Sequence, residues 1–425
     1  MIQKIINELS WRGILNNYSN NTNKIIDKKI TLYLGIDPTA DSLHIGHMIQ
    51  LITLMHFAKQ NNNVIILIGN ATGIIGDPSF KKHERPLMEY HCIMNNTIKI
   101  VHQIRKIFSN VINNNNIKIV YNNDWMKNYK LIDFIRDIGK NININYMIAK
   151  NSVKDRMKYG LSFTEFTYQL IQGYDFVFLY KEYNCILQIG GSDQWGNITT
   201  GIDIIKKIYK NPVFGITTNI LTDSSNKKIG KTDSNDIIWL DKTKTSIYNF
   251  YQYWINIDDI TALKCIKMMT FLSKEEIDNL SYISSKSPQK KIIQLKLSEI
   301  LIKYLHSDIE YQNIRYISNL LFSKHTDLKE IFCEKTIPIF KEIFDNYIPY
   351  DIINNNIDVL NFLFLHTDIK NTKSEFKKLI NNKSIYINNI LIDNYKFVIN
   401  IKMAFKGKYF FIKKGKKCCS ICIIK

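Results

Sequence analysis

Two histidines three residues apart, a set of isolated aspartates and a few lysines beside glycines are the residues of this chain equipped for chemistry. His44 and His47 close the run TLYLGIDPTADSLHIGH at residues 31–47. Their i, i+3 spacing puts both on one face of a first helical turn. Unpaired N–H groups and the helix dipole favour an anion at such a place. Gly46, between them, lets a flat ligand approach the backbone. The pattern reads as a cradle for ATP phosphates made without a Walker lysine. A metal pair is the weaker alternative, because this HxxH has no Glu and no third Cys or His close by. A plain helix cap carrying two surface histidines stays open.

The acidic candidates stand at turns. Asp77 ends the glycine-rich stretch NATGIIGDPS at 70–79 and would supply a fixed negative group. Lys81 and Arg85 follow on a polar stretch able to close over phosphates, with a solvated loop as the alternative. Asp193 lies in GGSDQWGN at 190–197, where an acidic side chain can bond ribose hydroxyls. A satisfied turn aspartate is the bland reading there. Tyr168, Gln172 and Asp175 fall at i, i+4, i+7 and form a narrow polar stripe among aromatic and aliphatic neighbours. That stripe suits a small zwitterion with a polar end. In KKIGKT at 227–232, Lys228 and Lys231 stand astride Gly230 and can swing onto pyrophosphate as charge develops.

These residues must be held by a sheet. Leu32, Leu34 and Ile36 alternate with Tyr33 and Gly35 until Asp37-Pro38-Thr39 breaks the strand. Residues 64–69 and 185–190 read as strands buried on both faces. Ser162-Phe-Thr-Glu165 is a capping box that starts the helix carrying Tyr168. From 31 to about 221 the alternation is that of a parallel α/β sheet, whose ligands sit at the carboxyl ends of its strands. Residues 95–123 have helical character, and 124–140 read as helix ending at Gly139. From 245 helices dominate, with a second capping box at 273–276. Residues 326–355, with Pro338 and Pro349, read as a connector. Beyond it, Thr372-Lys-Ser-Glu375 caps a short helix, followed by strands and a basic hairpin around 413–417.

The expected fold is therefore α/β, a Rossmann-type parallel sheet followed by an all-helical domain and a small α+β module. The boundaries are a catalytic domain at 1–220, the KIGKT loop and helical domain at 221–325, a linker at 326–355 and a C-terminal module at 356–425. With 425 residues and 45% hydrophobic content the chain can fill two or three cores. Its formal net charge of +19 calls for an anionic partner, although a lysine- and asparagine-rich composition accounts for part of it. Seven cysteines without regular spacing fit a reducing cytoplasm. The N-terminus lacks a signal-peptide core, and no apolar run reaches membrane-spanning length.

Four segments, PTADSLHIGH, ATGIIGDPS, SFTEFTYQLIQGYDF with LQIGGSDQWGN, and KIGKT, together resemble the bacterial tyrosyl-tRNA synthetases among the class I aminoacyl-tRNA synthetases. The resemblance implies an ATP-dependent tyrosine–tRNA ligase with Mg²⁺ accompanying ATP, no structural metal, a symmetric homodimer and an S-four-like RNA-binding C-terminal module. It implies that Tyr33 and Asp175 bond the substrate phenol, while Asp77, Tyr168 and Gln172 hold its ammonium, with Gln194 near the carboxylate. Gly35, Asp37, Thr39, His44, Gly46 and His47 would bind ATP and the transition state, and Gly191 and Asp193 the ribose. Lys81, Arg85, Lys228, Lys231 and Thr232 would close on pyrophosphate. Lys373, Lys377, Lys378, Lys413, Lys414, Lys416 and Lys417 are the candidate contacts to tRNA(Tyr). KIGKT departs from the family-wide KMSKS, and Asn381-Asn382-Lys383 stands where glycines are common. A tryptophanyl-type enzyme, or a non-catalytic RNA-binding protein on the same fold, are the competing expectations.

Overall fold

The computed structural model describes residues 2–19, 29–77, 79, 87–112, 117–150, 153–154, 157–230, 237–322, 327–344, 346–369, 371–415 and 418–425. The chain forms two compact units, one of residues 1–245 with 252–306, the other of 246–251 with 307–425.

The first unit is built on a six-stranded sheet in the order β1-β6-β5-β2-β3-β4. Its strands are β1 (Leu15–Tyr18), β2 (Thr31–Ile36), β3 (Asn63–Ile68), β4 (Ile117–Tyr121), β5 (Cys185–Gly191) and β6 (Phe214–Thr218). Only the β1–β6 pairing is antiparallel. Leu32, Tyr33 and Leu34 are all buried, as expected of a parallel strand covered on both faces. From β2 the chain steps to β3 and β4 on one side, whereas β5 lies on its other side. The strand order thus reverses between β2 and β5, and a crevice opens at their carboxyl ends. Helices Ile45–Ala58, Phe163–Tyr183 and Trp195–Tyr209 connect and flank these strands.

The expected local signals appear where the residue types demand them. Ser162 accepts from the Glu165 N–H while Glu165 accepts from the Ser162 N–H, and Ser273 with Glu276 repeats the arrangement. Two expectations need correction. Residues 95–123 are not helical throughout: the helix Tyr90–Val111 gives way to β4, whose IKIVY is rich in β-branched residues and pairs with β3 at the edge of the sheet. Residues 124–140 are two short helices, Asn123–Met126 and Leu131–Asp137, with a turn of 3₁₀ helix at Gly139–Asn141. Helices Asp259–Met269, Lys274–Lys286 and Ile292–Leu305 complete this unit. Arg12, 3% exposed, joins its two ends by donating to the backbone oxygens of Lys267, Thr270 and Leu272 at 2.7–3.0 Å.

The second unit surrounds a five-stranded sheet. Residues 326–355 do more than connect: Tyr347–Ile348 pairs in parallel with Cys418–Ile424, adding an edge strand to that sheet. The capping box at Thr372 and Glu375 starts the helix Lys373–Asn381. Asn388 and Asn389 both take positive φ, which asparagine tolerates, and turn Ile385–Ile387 back onto Ile390–Ile392. The hairpin Tyr409–Lys414 with Cys418–Ile424 packs Phe410, Ile412 and Cys422 onto Phe362 and Phe376 in one core.

Candidate active site

At the reversal between β2 and β5 lies a cavity of about 180 Å³. Its walls include Tyr33, Gly35, Asp37, Thr39, His47, Asp77, Tyr168, Gln172, Asp175, Asp193 and Gln194, each singled out in the sequence. Gln50, Thr72 and Gln188 line it too and were not foreseen.

Sheet register sets the floor. Tyr33 is the register partner of Gln188, so both side chains project from the same face. The Tyr33 hydroxyl and Gln188 Oε1 are buried and make no hydrogen bond among the described residues. Leaving such an atom unpaired costs about 1–3 kcal/mol, which a polar ligand group relieves. Beside them Asp175, 1% exposed, accepts from Trp125 Nε1 at 2.9 Å and Asn122 Nδ2 at 3.1 Å. Burial pushes its carboxyl up to about 7, against those two hydrogen bonds, and the Asp37 carboxylate adds to the rise. Burial and the neighbouring Asp175 hold the Tyr33 phenol well above its ordinary value, so it is neutral and able to donate.

A second set of bonds fixes the opposite wall. The Tyr168 hydroxyl donates to Asp37 Oδ2 at 2.6 Å, and Thr72 Oγ1 donates to Asp37 Oδ1 at 2.7 Å. Gly69 allows this approach, since a Cβ there would lie 2.0 Å from Asp37 Oδ1. Gln194 Nε2 donates to Asp77 at 2.6 Å and to Asp193 at 3.1 Å, and Asn197 Nδ2 donates to both Gln172 and Gln194. Gly191, not itself in the wall, adjoins Asp193: a Cβ on it would meet Asp193 Oδ1 at 2.4 Å and Gln50 Nε2 at 3.0 Å. Asp37, Asp77, Asp175 and Asp193 thus bring four carboxyl groups to one small cavity, a field suited to an ammonium.

The two histidines cap their own helix. His44 occupies the N-cap and its Nδ1 accepts from the Gly46 N–H at 3.1 Å, while His47 Nδ1 accepts from the His44 N–H at 3.1 Å. The rings stand 4.0 Å apart. A Cβ on Gly46 would strike the His44 ring at 2.9 Å, so glycine is needed for the cap itself. With both Nδ1 atoms accepting, each neutral imidazole carries its proton on Nε2 and is a donor there. Burial, then the His44 ring and the Lys228 charge, drive His47 down to about 3, which keeps it neutral at physiological pH. Lys228 is exposed, in the short bridge that pairs it with Thr222. Lys81, Arg85, Lys231 and Thr232 lie outside the described residues.

In the second unit, Lys373, Lys377 and Lys378 are exposed on one short helix, and Lys413 and Lys414 are half-buried in the basic hairpin. Lys414 Nζ donates to Asn371 at 2.6 Å and Lys373 to Asn361, while Lys377 lies 4.2 Å from the Tyr395 ring centroid. Lys416 and Lys417 lie outside the described residues.

A family model described as tRNA synthetases class I (W and Y) matches residues 26–323, and one described as the tyrosine–tRNA ligase SYY-like C-terminal domain matches 340–421. The tyrosine–tRNA ligase of Mycoplasma mycoides is 42% identical over 430 residues, covering all of both chains. The chain belongs to the tyrosine–tRNA ligase family. The Flavobacterium johnsoniae ligase is 40% identical across 98% of each chain. A C-terminally truncated mitochondrial tyrosyl-tRNA synthetase of Aspergillus nidulans superposes with a TM-score of 0.69 at 28% identity, over 75% of this chain and 94% of that one. The class I α/β fold of this ligase family is the architecture expected from the sequence.

The residues missed in the sequence had signals of two kinds. Gln188 is a lone amide inside the apolar strand CILQIGG, a buried polar atom in need of a partner. Asn122 and Trp125 follow the carboxyl end of β4, the strand hidden in the asparagine-rich middle region.

Proposed function

We propose that this chain activates L-tyrosine with ATP, releasing pyrophosphate, and then transfers tyrosine from the adenylate to the 3′-terminal ribose of tRNA(Tyr). The observation that carries the reading is the buried Tyr33 hydroxyl, without a hydrogen-bond partner among the described residues, next to the Asp175 carboxyl in a cavity of about 180 Å³. A para-hydroxyl group entering there gains a donor and an acceptor at once. Asp77, Tyr168 and Gln172 hold the ammonium, and Gln194 stands by the carboxylate. Gly191 and Asp193 take the ribose, while Gly35, Asp37, Thr39 and Gly46 line the path of the nucleotide.

The first step needs no general base, because the tyrosine carboxylate is ionised at neutral pH. It attacks the α-phosphorus of ATP and pyrophosphate leaves. His44 and His47 act as Nε2–H donors to the phosphate oxygens, while Lys81, Arg85, Lys228 and Lys231 balance charge developing on pyrophosphate and the Thr232 hydroxyl donates a hydrogen bond to it. Mg²⁺ would enter as the companion of the ATP phosphates.

The protein acts as a homodimer in the cytoplasm. Leu131, Ile132, Ile144 and Phe163, 62–80% exposed within a window of 33 residues, favour a covered surface in that part of the first unit. The described cysteines are all unpaired, as a reducing compartment keeps them, and no helix among the described residues is long and apolar enough to cross a membrane. The module from 356 onward, with its exposed lysines, engages the tRNA backbone. The test is amino-acid-dependent ATP–pyrophosphate exchange. Exchange with tyrosine and none with tryptophan or phenylalanine is expected. Exchange with tryptophan would favour the tryptophanyl-type reading, and none with any amino acid the non-catalytic one.

A further inference from the structure

Lys231 and Thr232 belong to the stretch 231–236, and the residues on both sides of that stretch are tied to the loop that carries the histidines. Before it, Gly230 (φ +120°) packs so closely that a Cβ would fall 2.9 Å from Ile45 Cγ2. Gly230 O accepts from Ile238 N at 2.9 Å, which closes a neck. After it, Ile238 O accepts from Ile45 N at 3.1 Å, Leu240 N donates to Leu43 O at 2.8 Å, and Trp239 pairs antiparallel with His44. The neck is a short ribbon laid along residues 43–45.

Side chains from a third element fasten it. Gln103, on the helix Tyr90–Val111, accepts at Oε1 from the Leu43 N–H at 2.9 Å. Its Nε2 donates to Ser42 Oγ at 3.0 Å and to Asp241 Oδ2 at 3.5 Å. One carboxamide therefore bonds the histidine loop and the neck together. A second fastening crosses the same seam: Asp41 pairs with Lys244, whose ammonium lies 4.8 Å from the Trp239 ring centroid. Asp41 also accepts from Lys99 Nζ at 3.0 Å, a bond that leads to the helix and not to the neck. Gln103, Asp41 and Lys244 do not line the cavity.

We propose that Gln103 is a positioning residue for the adenylation step: it holds the neck of the lysine-bearing stretch in register with His44, with the Lys244–Asp41 pair as a second fastening. The inference rests on the reading of Lys231 as a cation for pyrophosphate. Its physical basis is that a charge stabilises a transition state only at the right place, and a shift of about 1 Å costs on the order of a hundredfold in rate. The tyrosine pocket stands on β2, β5 and the helix Phe163–Tyr183, which Gln103 does not contact through any of these bonds.

Two comparisons test it. Gln103→Ala is expected to lower the single-turnover rate of adenylate formation about tenfold at saturating ATP, with the tyrosine Kd changed less than about twofold and the unfolding midpoint retained. In a Lys231→Ala background the same substitution is expected to add almost nothing, because the cation it positions is gone. A full, multiplicative loss in that background would overturn the proposal while leaving the role of Lys231 intact. A Lys231→Ala protein with an unaltered rate would instead remove the reading on which the proposal stands. Parallel loss of tyrosine affinity and rate would mark Gln103 as merely structural and overturn it. The surface pair gives a check independent of core folding. Lys244→Met is expected to slow adenylation and Lys99→Met to leave it unchanged; equal effects would overturn the role of the seam.

Discussion

Asp175→Asn is the substitution that most directly probes how the site selects its amino acid. In the native chain each carboxyl oxygen of Asp175 accepts one bond, from Trp125 at 2.9 Å and from Asn122 at 3.1 Å. Asparagine offers one oxygen and one NH₂. Either orientation sets a donor against a donor and leaves a buried N–H unpaired, at about 1–3 kcal/mol of stability. That term is present with or without substrate. The term specific to tyrosine is the bond between its phenol and the charged carboxylate, about 1.5–3 kcal/mol for a charge-assisted hydrogen bond. Converted at about 1.4 kcal/mol per factor of ten, kcat/KM for tyrosine should fall roughly 10- to 150-fold. Phenylalanine makes no such bond and should lose little, so the tyrosine/phenylalanine ratio in pyrophosphate exchange falls by the same factor. An unchanged ratio would refute the assignment of Asp175 to the hydroxyl.

The same residue makes a pH prediction with a definite sign. Burial raises its carboxyl from 3.8 to about 7, so the folded chain keeps this proton to higher pH than the unfolded chain does. Its contribution to stability is fully present below pH 3.8 and is lost as pH rises towards 7. The variant should lack that decline. In activity the sign is opposite, because the charged acceptor exists only above the shifted value. Native kcat/KM for tyrosine should drop as pH falls through about 7, and Asp175→Asn should be flat there.

Three further outcomes are expected. Lys231→Ala lowers the adenylation rate constant far more than it weakens tyrosine binding; equal losses in stopped-flow rate and equilibrium affinity would count against a transition-state role. His56, whose ring lies 4.7 Å from Phe271, is driven down to about 3 by burial and by the charges of Arg12 and Lys59. The unfolded chain gains this proton below 6.5 and the folded chain does not until about 3, so stability falls as pH drops through that window. In His56→Leu the thermal midpoint should fall less steeply with acid, and identical slopes would contradict the account. Replacing the exposed Lys377 and Lys378 by Gln should raise the KM for tRNA, leave pyrophosphate exchange intact and flatten the salt dependence by about one unit per lysine. A change in exchange instead would remove these lysines from RNA binding.

How much of this could be read from the residues alone depended on whether the signal was local. The capping boxes at Ser162, Ser273 and Thr372 need only four residues each, and all three form with both reciprocal bonds. The stripe Tyr168, Gln172 and Asp175 needs only helical periodicity, and all three face one cavity. What Asp175 touches was not local: Asn122 and Trp125 are 53 and 50 residues away, placed by β4 at the sheet edge. Recognising IKIVY as a strand would have put Asn122 at a carboxyl end, where ligand-proximal residues gather. Gln188 depended on register, since only the pairing of β2 with β5 sets it beside Tyr33. The edge strand Tyr347–Ile348 is two residues long and carries no pattern of its own.

The capping arrangement also accounts for where this site keeps its positive charge. Each histidine spends its Nδ1 on a backbone N–H at the start of its own helix, so each can present its Nε2 as a donor, and burial keeps His47 uncharged at neutral pH. A permanent cation on the cavity wall would pair with Asp37, Asp77 or Asp193 and weaken the very field that attracts an ammonium. On the proposed reading, neutral imidazoles avoid that conflict, offering Nε2–H donors to phosphate oxygens without competing for the carboxylates. In the order of the chain, the full charges of Lys81, Arg85, Lys228 and Lys231 fall between β3 and β4 and after β6. Amino-acid recognition and phosphate stabilisation need opposite potentials within a few ångströms, and separating rigid neutral donors from cations on connecting segments satisfies both. The neck at Gly230 and Ile238 is then where the arrangement must be held tightly, because Ile45 N donates to Ile238 O at 3.1 Å and Leu240 N to Leu43 O at 2.8 Å, tying the residues that flank the lysine-bearing stretch to the start of the histidine helix.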